Sequence, residues 1–230
     1  MALAGSPNTS ERIFTVIRAS RIPGWCFGPI LYGIGVIHSR QIPRTIPSLS
    51  SAAIRLLTLS FPLCSIVFGV NDVYDYESDL RNPRKIASSL EGGVLAPAFH
   101  ADILRAATIS SLLLLLPSLF TRNLQNVAAT SLLVVFGWQY SAPPLRLKEV
   151  PAVDSISNGV MVFLSWFVGF SAVGKGIAEA PRKGYMMSLC TAGVHALAAV
   201  ADVEADRAAR MQTLAVVLGA RLAAVFAALC

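Results

Sequence analysis

The stretch Asn71-Asp72-Val73-Tyr74-Asp75-Tyr76-Glu77-Ser78-Asp79 closes an apolar run that begins near residue 51. Carboxylates are costly inside or against a bilayer, so four in nine residues at the end of such a run call for a partner of opposite charge. A second acidic stretch, Asp202-Val203-Glu204-Ala205-Asp206, closes another apolar run. Two acidic stretches at the ends of membrane helices point to a shared metal site. Metal and acid together point to a polyanionic substrate such as a diphosphate.

The rest of the chain supports a membrane setting. It has 230 residues, 54% of them hydrophobic and only 14% charged, with a mean hydropathy of +0.61. Soluble domains carry about 25% charged residues, so these charges are too few to cover a water-facing globule. The net charge of +6 does not indicate a nucleic-acid binder, because the basic residues sit in short loops between apolar runs. Apolar runs near 13–37, 51–77, 99–120, 124–140, 152–173, 184–203 and 210–230 read as seven membrane helices. Most approach the roughly 20 residues needed to span hydrocarbon. The expected fold is all-α, a polytopic transmembrane bundle around a central cavity, with 1–230 as a single membrane domain.

The first run carries Arg18, Arg21 and Pro23 with no small-residue cleavage site after it, so it is expected to remain as a helix rather than leave as a signal peptide. Asn8-Thr9-Ser10 matches a glycosylation sequon, which the expected topology puts on the wrong side for use. Cys26, Cys64, Cys190 and Cys230 lack paired spacing and read as small buried hydrophobes, not as a disulfide or zinc set. Seven spans place Arg12, Arg18, Arg81, Arg84, Lys85, Arg146, Lys148, Arg207 and Arg210 on one face. Arg40, Arg44, Arg122, Lys175, Arg182 and Lys183 fall on the other. The nine-to-six excess puts the acidic stretches on the cytosolic or matrix face. Each stretch ends an even-numbered run and is followed by basic residues, a faint internal repeat.

Residues three or four apart share a helix face. Asp72, Asp75 and Asp79 therefore project together, as do Asn71 with Asp75 and Asp202 with Asp206. Hard oxygen ligands suit magnesium, which bridges carboxylates to substrate phosphates. No His or Cys joins either stretch, which disfavours zinc. Glu77 and Glu204 fall at other helical angles and read as solvent-facing. The alternative for one stretch alone is a solvated helix end. Two stretches on one face, each with cations beside it, favour a site.

A metal-held allylic diphosphate ionises to a resonance-stabilised cation, and the metal and nearby Arg and Lys neutralise the leaving oxygens. Candidate cations are Arg81, Arg84, Lys85, Arg146, Lys148 and Arg207, with Arg18 reaching inward from the first run. Phe68, Tyr74, Trp138 and Tyr140 are candidate aromatic shields. Tyr140 stands out because Tyr140-Ser141-Ala142-Pro143-Pro144-Leu145-Arg146-Leu147-Lys148 is a rigid basic segment on the active face. His195, inside the sixth run, reads first as a packed, hydrogen-bonded histidine. A transporter reading fits less well, since the acidic residues sit at helix ends.

Asn71-Asp72-x-x-Asp75-x-x-x-Asp79 resembles the NDxxDxxxD motif of the UbiA-type intramembrane prenyltransferase superfamily. Asp202-x-x-x-Asp206-Arg207, continuing to Thr213-Leu214 and Leu218-Gly219, is similar to its second motif, and Tyr140 to Lys148 is similar to its loop after helix four. Order and spacing agree across most of the chain. The resemblance implies a helical bundle with two magnesium ions bridged by a prenyl diphosphate. It implies metal ligation by Asn71, Asp72, Asp75, Asp202 and Asp206, and substrate binding by Asn71, Asp79, Tyr140, Arg146 and Lys148. The reaction it implies is transfer of a prenyl group to a hydrophobic acceptor in the bilayer. A membrane terpene cyclase and an inactive shortened relative stay open. Members of the family usually have nine helices, so the resemblance also implies a chain shortened at its C-terminus.

Overall fold

A computed structural model describes residues 7–82, 85, 93–208 and 210–230. All regular structure among them is helical. The helices are α1 (Thr9–Ala19), α2 (Phe27–Ser39), α3 (Ile46–Tyr74), α4 (Tyr76–Asp79), α5 (His100–Leu119), α6 (Leu124–Gln139), α7 (Val153–Ser171), α8 (Arg182–Ala201), α9 (Val203–Ala208), α10 (Leu214–Leu218) and α11 (Ala220–Leu229). Among them α3, α7, α8 and α5 with its leading turn are long and apolar enough to cross a bilayer, whose hydrocarbon layer is about 30 Å thick. The chain is an integral membrane protein.

All seven expected runs are helical, with turns interrupting the second at Leu59 and Ser60 and at Asp75 and wider breaks in the first and the last. The first run divides because Arg21 takes a left-handed φ of 53° and Pro23 opens a 3-10 turn over Ile22–Cys26. What remains of it is α1, capped by Asn8, whose side chain accepts from the Glu11 N–H at 2.9 Å, and the apolar α2. The last run divides at Gly219, whose φ of 85° suits a residue without Cβ. The second run starts earlier than its apolar residues do. Thr45 caps Ile46, with Ser48 completing a capping box and a proline in the first turn.

At the centre of the bundle is α7. It packs against α2, α8 and α6, and most of its side chains are buried. Lipid is as apolar as leucine, so membrane helices associate through close backbone approach and hydrogen bonds. A Cβ on Gly35 of α2 would lie 2.1 Å from the Trp166 carbonyl oxygen, and one on Gly169 of α7 would lie 2.1 Å from that of Tyr32. Only glycine at both positions lets these helices touch. Trp166 is fully buried and donates from Nε1 to His38 Nδ1 at 3.1 Å. Leucines such as Leu112, Leu116 and Leu119 of α5 point outward to lipid.

A buried polar knot ties α3, α6 and α7. Arg55 Nη2 donates to Asn126 Oδ1 at 2.8 Å, and Asn126 Nδ2 donates to the Val168 carbonyl at 2.8 Å and to Ser171 Oγ at 2.9 Å. The cysteines are all free. Cys64 is buried as expected, whereas Cys26 and Cys190 are exposed and Cys230 is half-buried. The last three correct the expectation of burial: their apolar neighbourhoods face outward.

Candidate active site

A π-turn over Ser65–Gly69 leads directly into Val70–Tyr74. Such bulges re-aim the residues that follow and recur at functional sites. The helix then bends at Asp75, with φ −98° and ψ 0°. Its hydrogen bonding continues through the bend, from the Asp75 N–H to the Asn71 carbonyl and from the Asp79 N–H to the Asp75 carbonyl. Asp72, Asp75 and Asp79 all end up buried. The second stretch bends in the same way. Asp202 has φ −101° and ψ 3°, and the Asp206 N–H reaches the Asp202 carbonyl.

These two bends face one cavity of about 250 Å³. Its lining includes Asn71, Asp75 and Asp79 from the first stretch, Asp202 and Asp206 from the second, and Arg21, Lys85, Tyr140 and Lys148. Asp72 stands behind it, 3.1 Å from Arg21 Nη2 and 3.2 Å from Lys85 Nζ. Lys85 also lies 3.1 Å from Asp79. Lys148 pairs closely with Asp75, and Arg146 lies 3.8 Å from the same carboxylate. Asn71 Oδ1 accepts from Ser141 Oγ at 2.9 Å and from Lys148 Nζ at 3.4 Å. Thr213 Oγ1 donates to Asp206 Oδ2 at 3.0 Å.

Burial acts against these charges. It raises the Asp79 carboxyl above the usual carboxylate range, opposed by Lys85. It pushes the Lys148 ammonium down to about 8, opposed by the carboxylates of Glu149 and Asp72. The carboxylates lean on lysines, Asp75 Oδ1 on Lys148 and Asp79 Oδ2 on Lys85, while the buried Arg21 Nε has no hydrogen-bond partner among the described residues. Buried polar atoms are nearly always hydrogen-bonded. An orphaned arginine nitrogen at a cavity lined by lysines and carboxylates marks a place shaped for a polar ligand.

The donor set fits magnesium in a particular way. Among the described residues no three His, Cys, Asp or Glu side chains converge as a ready-made ion site. Magnesium usually takes one or two carboxylates, keeps water, and completes its shell with substrate phosphates. Carboxylates distributed around a cavity, with lysines among them, suit an ion that arrives together with a diphosphate.

Not every expected residue meets the cavity. Arg81 and Arg207 are exposed, as are Glu77 and Glu204, and Arg84 lies outside the described residues. Arg18 lies with Asp72 along a small side crevice. Phe68 sits under the Arg21 guanidinium at 4.7 Å. Arg21, Asp154 and Thr213 line the cavity without having been singled out for it, and His195, read first as a packed histidine, lines it as well. For Arg21 a signal was present, since an arginine inside an apolar run is a functional candidate by default.

A second cavity, of about 220 Å³, lies among apolar side chains including Phe27, Leu31, Leu63, Val67, Phe68 and Leu133. Asn158 belongs to its lining. The Asn158 amide donates to the Tyr140 hydroxyl at 3.0 Å, which joins the walls of the apolar and polar cavities.

A membrane bundle with an acidic, lysine-bearing cavity beside an apolar one is the architecture of an intramembrane enzyme for amphiphilic substrates. Residues 27–230 match the model of the UbiA prenyltransferase family, and the chain belongs to that family. It is 38% identical over 173 residues to the C(50) beta-cyclic carotenoids biosynthesis protein LbtBC of Dietzia sp. strain CQ4, covering 71% of this chain and 38% of that protein. It is 32% identical over 206 residues to the lycopene elongase/hydratase of Haloarcula japonica, covering 89% of this chain and 67% of that protein. The chain thus spans only part of either relative.

Solved structures of a UbiA homologue from Archaeoglobus fulgidus share the fold. The one bound to DMAPP and Mg2+ matches with a TM-score of 0.70 at 20% identity, over 90% of this chain and 71% of that one. The one bound to GPP and Mg2+ matches with a TM-score of 0.72 at 21% identity, over 91% and 71%.

Proposed function

We propose that the chain transfers a prenyl group from an allylic prenyl diphosphate to a hydrophobic acceptor in the membrane, with magnesium as cofactor. The observation that carries this reading is one cavity lined by both acidic stretches together with Arg21, Lys85 and Lys148, where the buried Arg21 Nε is left without a hydrogen bond. The relatives named for lycopene and carotenoid chemistry favour a polyene as acceptor. Dimethylallyl diphosphate is the simplest donor that fits.

In this reading Asn71, Asp75, Asp202 and Asp206 would hold two magnesium ions, with Asp72, behind the cavity on Arg21 and Lys85, joining them once those cations turn to the diphosphate. The metal neutralises charge developing on the leaving oxygens. Arg21, Lys85, Lys148 and Arg146 carry the diphosphate, releasing the carboxylates they pair with in the resting chain. The allyl group lies toward Phe68 and the apolar cavity, away from water. Arg81 and Arg207, exposed here, would reach the ligand only by turning inward. The acidic stretches face the cytosol or matrix, on the side with the larger share of loop cations.

The test uses purified chain in lipid with dimethylallyl diphosphate, magnesium and lycopene. Magnesium-dependent diphosphate release accompanied by a lengthened polyene is expected. A cyclic hydrocarbon formed from farnesyl or geranylgeranyl diphosphate without acceptor would sink the transferase reading in favour of a cyclase.

A further inference from the structure

The join between the two cavities holds a hydrogen-bonded chain that diphosphate binding does not use. Asn158 Nδ2 donates to the Tyr140 hydroxyl oxygen at 3.0 Å and to the Asp154 carbonyl at 2.9 Å, so both of its amide hydrogens are spent. The hydroxyl oxygen accepts there and lies 3.2 Å from His195 Nε2, to which it donates in the tautomer that carries the ring proton on Nδ1. His195 Nδ1 then carries the other ring proton and donates to Ser155 Oγ at 3.1 Å. Ser155 is fixed in turn, fully buried with its N–H on Asp154 Oδ1 at 2.7 Å. The second Asp154 oxygen accepts from the Leu214 N–H at 3.1 Å. Tyr140, His195 and Asp154 all line the polar cavity. The arrangement leaves one lone pair of the Tyr140 oxygen for a substrate, and a neutral histidine behind it to take a proton.

We propose that Tyr140 and His195 form a proton relay that discharges the acceptor cation. This inference rests on the transferase reading above. When the allylic C–O bond breaks, the diphosphate leaves with the electron pair. A π pair of the acceptor closes the new C–C bond, and the positive charge moves onto the acceptor. That charge is discharged by loss of one proton, from the adjacent C–H, whose pair becomes a double bond, or from a water whose oxygen closes a C–O bond. The Tyr140 oxygen receives the proton as its own hydroxyl proton passes to His195 Nε2. The imidazolium then shares the cavity with the Asp154 carboxylate. General-base assistance of this kind contributes about a hundred-fold or more. Tyr140 is the catalytic residue, and His195 is a positioning residue acting through it.

The experiment measures three quantities with dimethylallyl diphosphate, magnesium and lycopene: diphosphate released, lengthened polyene, and dimethylallyl alcohol formed when water captures the unused cation. Tyr140→Phe keeps the ring, and His195→Gln keeps a hydrogen-bonding side chain that cannot take the proton. In both variants the ratio of alcohol to lengthened polyene is expected to rise about tenfold or more over the parent, read per diphosphate released. A parent-like ratio in His195→Gln overturns the relay and leaves the transferase reading standing. Loss of diphosphate release in His195→Gln also overturns it, because the histidine would then be holding the site together. Absence of magnesium-dependent diphosphate release from the parent chain removes the transferase reading and the relay with it.

Discussion

The two acidic stretches share a backbone and differ in what surrounds it. Each bends at an aspartate with nearly the same dihedrals, φ −98° and ψ 0° at Asp75 and φ −101° and ψ 3° at Asp202. Each keeps the hydrogen bond from the residue four further on. Around the first, Asp72, Asp75 and Asp79 are buried against Arg21, Lys85 and Lys148. Around the second, Asp202, at the bend after α8, and Asp206, on the short helix α9, are half-buried. The first stretch is thus part of the folded core, while the second is its more open counterpart. The same ligand set can serve two ends of one diphosphate while contributing unequally to stability.

The strongest test of that inequality removes one carboxylate from each side. Asp72→Asn and Asp202→Asn are each expected to lower magnesium-dependent diphosphate release by roughly a thousand-fold, since each loses a group that stabilises the leaving charge. Their stabilities should diverge. Asp72→Asn leaves Arg21 and Lys85 partly unpaired in a buried setting and should cost about 3 kcal/mol. Asp202→Asn should cost less than about 1 kcal/mol, as for a partly solvated charge. Thermal unfolding in detergent would read the difference. Equal losses of stability would break the comparison, and undiminished turnover in both variants would refute the metal-site assignment.

The cations that crowd the first stretch come next. Lys148→Met removes the partner of Asp75 and Asn71. It is expected to raise the KM for prenyl diphosphate by about ten- to a hundred-fold, the loss of one desolvated charge-assisted contact. A change in kcat alone would instead place Lys148 at the transition state and not at ground-state binding.

Much of this was legible in the residues. The spacing of Asp72, Asp75 and Asp79 gave one face; the structure buries all three but turns only Asp75 and Asp79 to the cavity, with Asp72 behind them. The apolar runs gave the helices because burial and lipid both select apolar side chains over membrane length. What was not legible depends on the backbone between. The π-turn at Ser65–Gly69 has no distinctive residue, yet it sets the direction in which Asn71 points. The break at Arg21 and Pro23 hides a cavity-lining arginine inside what reads as one helix. Thr45 and Ser48 begin α3 before its apolar character starts, because caps are polar. The Tyr140, Asn158 and His195 chain joins three helices across 55 positions, a separation that no local pattern reports.

A smaller effect isolates the second stretch. Thr213 donates to Asp206 Oδ2 from the start of α10. Thr213→Val keeps the shape and removes the donor. It should cost about 1 kcal/mol, read as a roughly fivefold rise in the magnesium concentration for half-maximal release. The same readout in Glu77→Gln and Glu204→Gln should shift by less than about twofold, because both carboxylates are exposed and exposed charges are well screened. A large shift in Glu204→Gln alone would mean that α9 turns over when ligand binds and that the open stretch closes by rotation. A large shift in Glu77→Gln would be harder to accommodate. Glu77 lies between the buried Asp75 and Asp79, so it could reach the cavity only by dismantling the cluster that Arg21, Lys85 and Lys148 hold together.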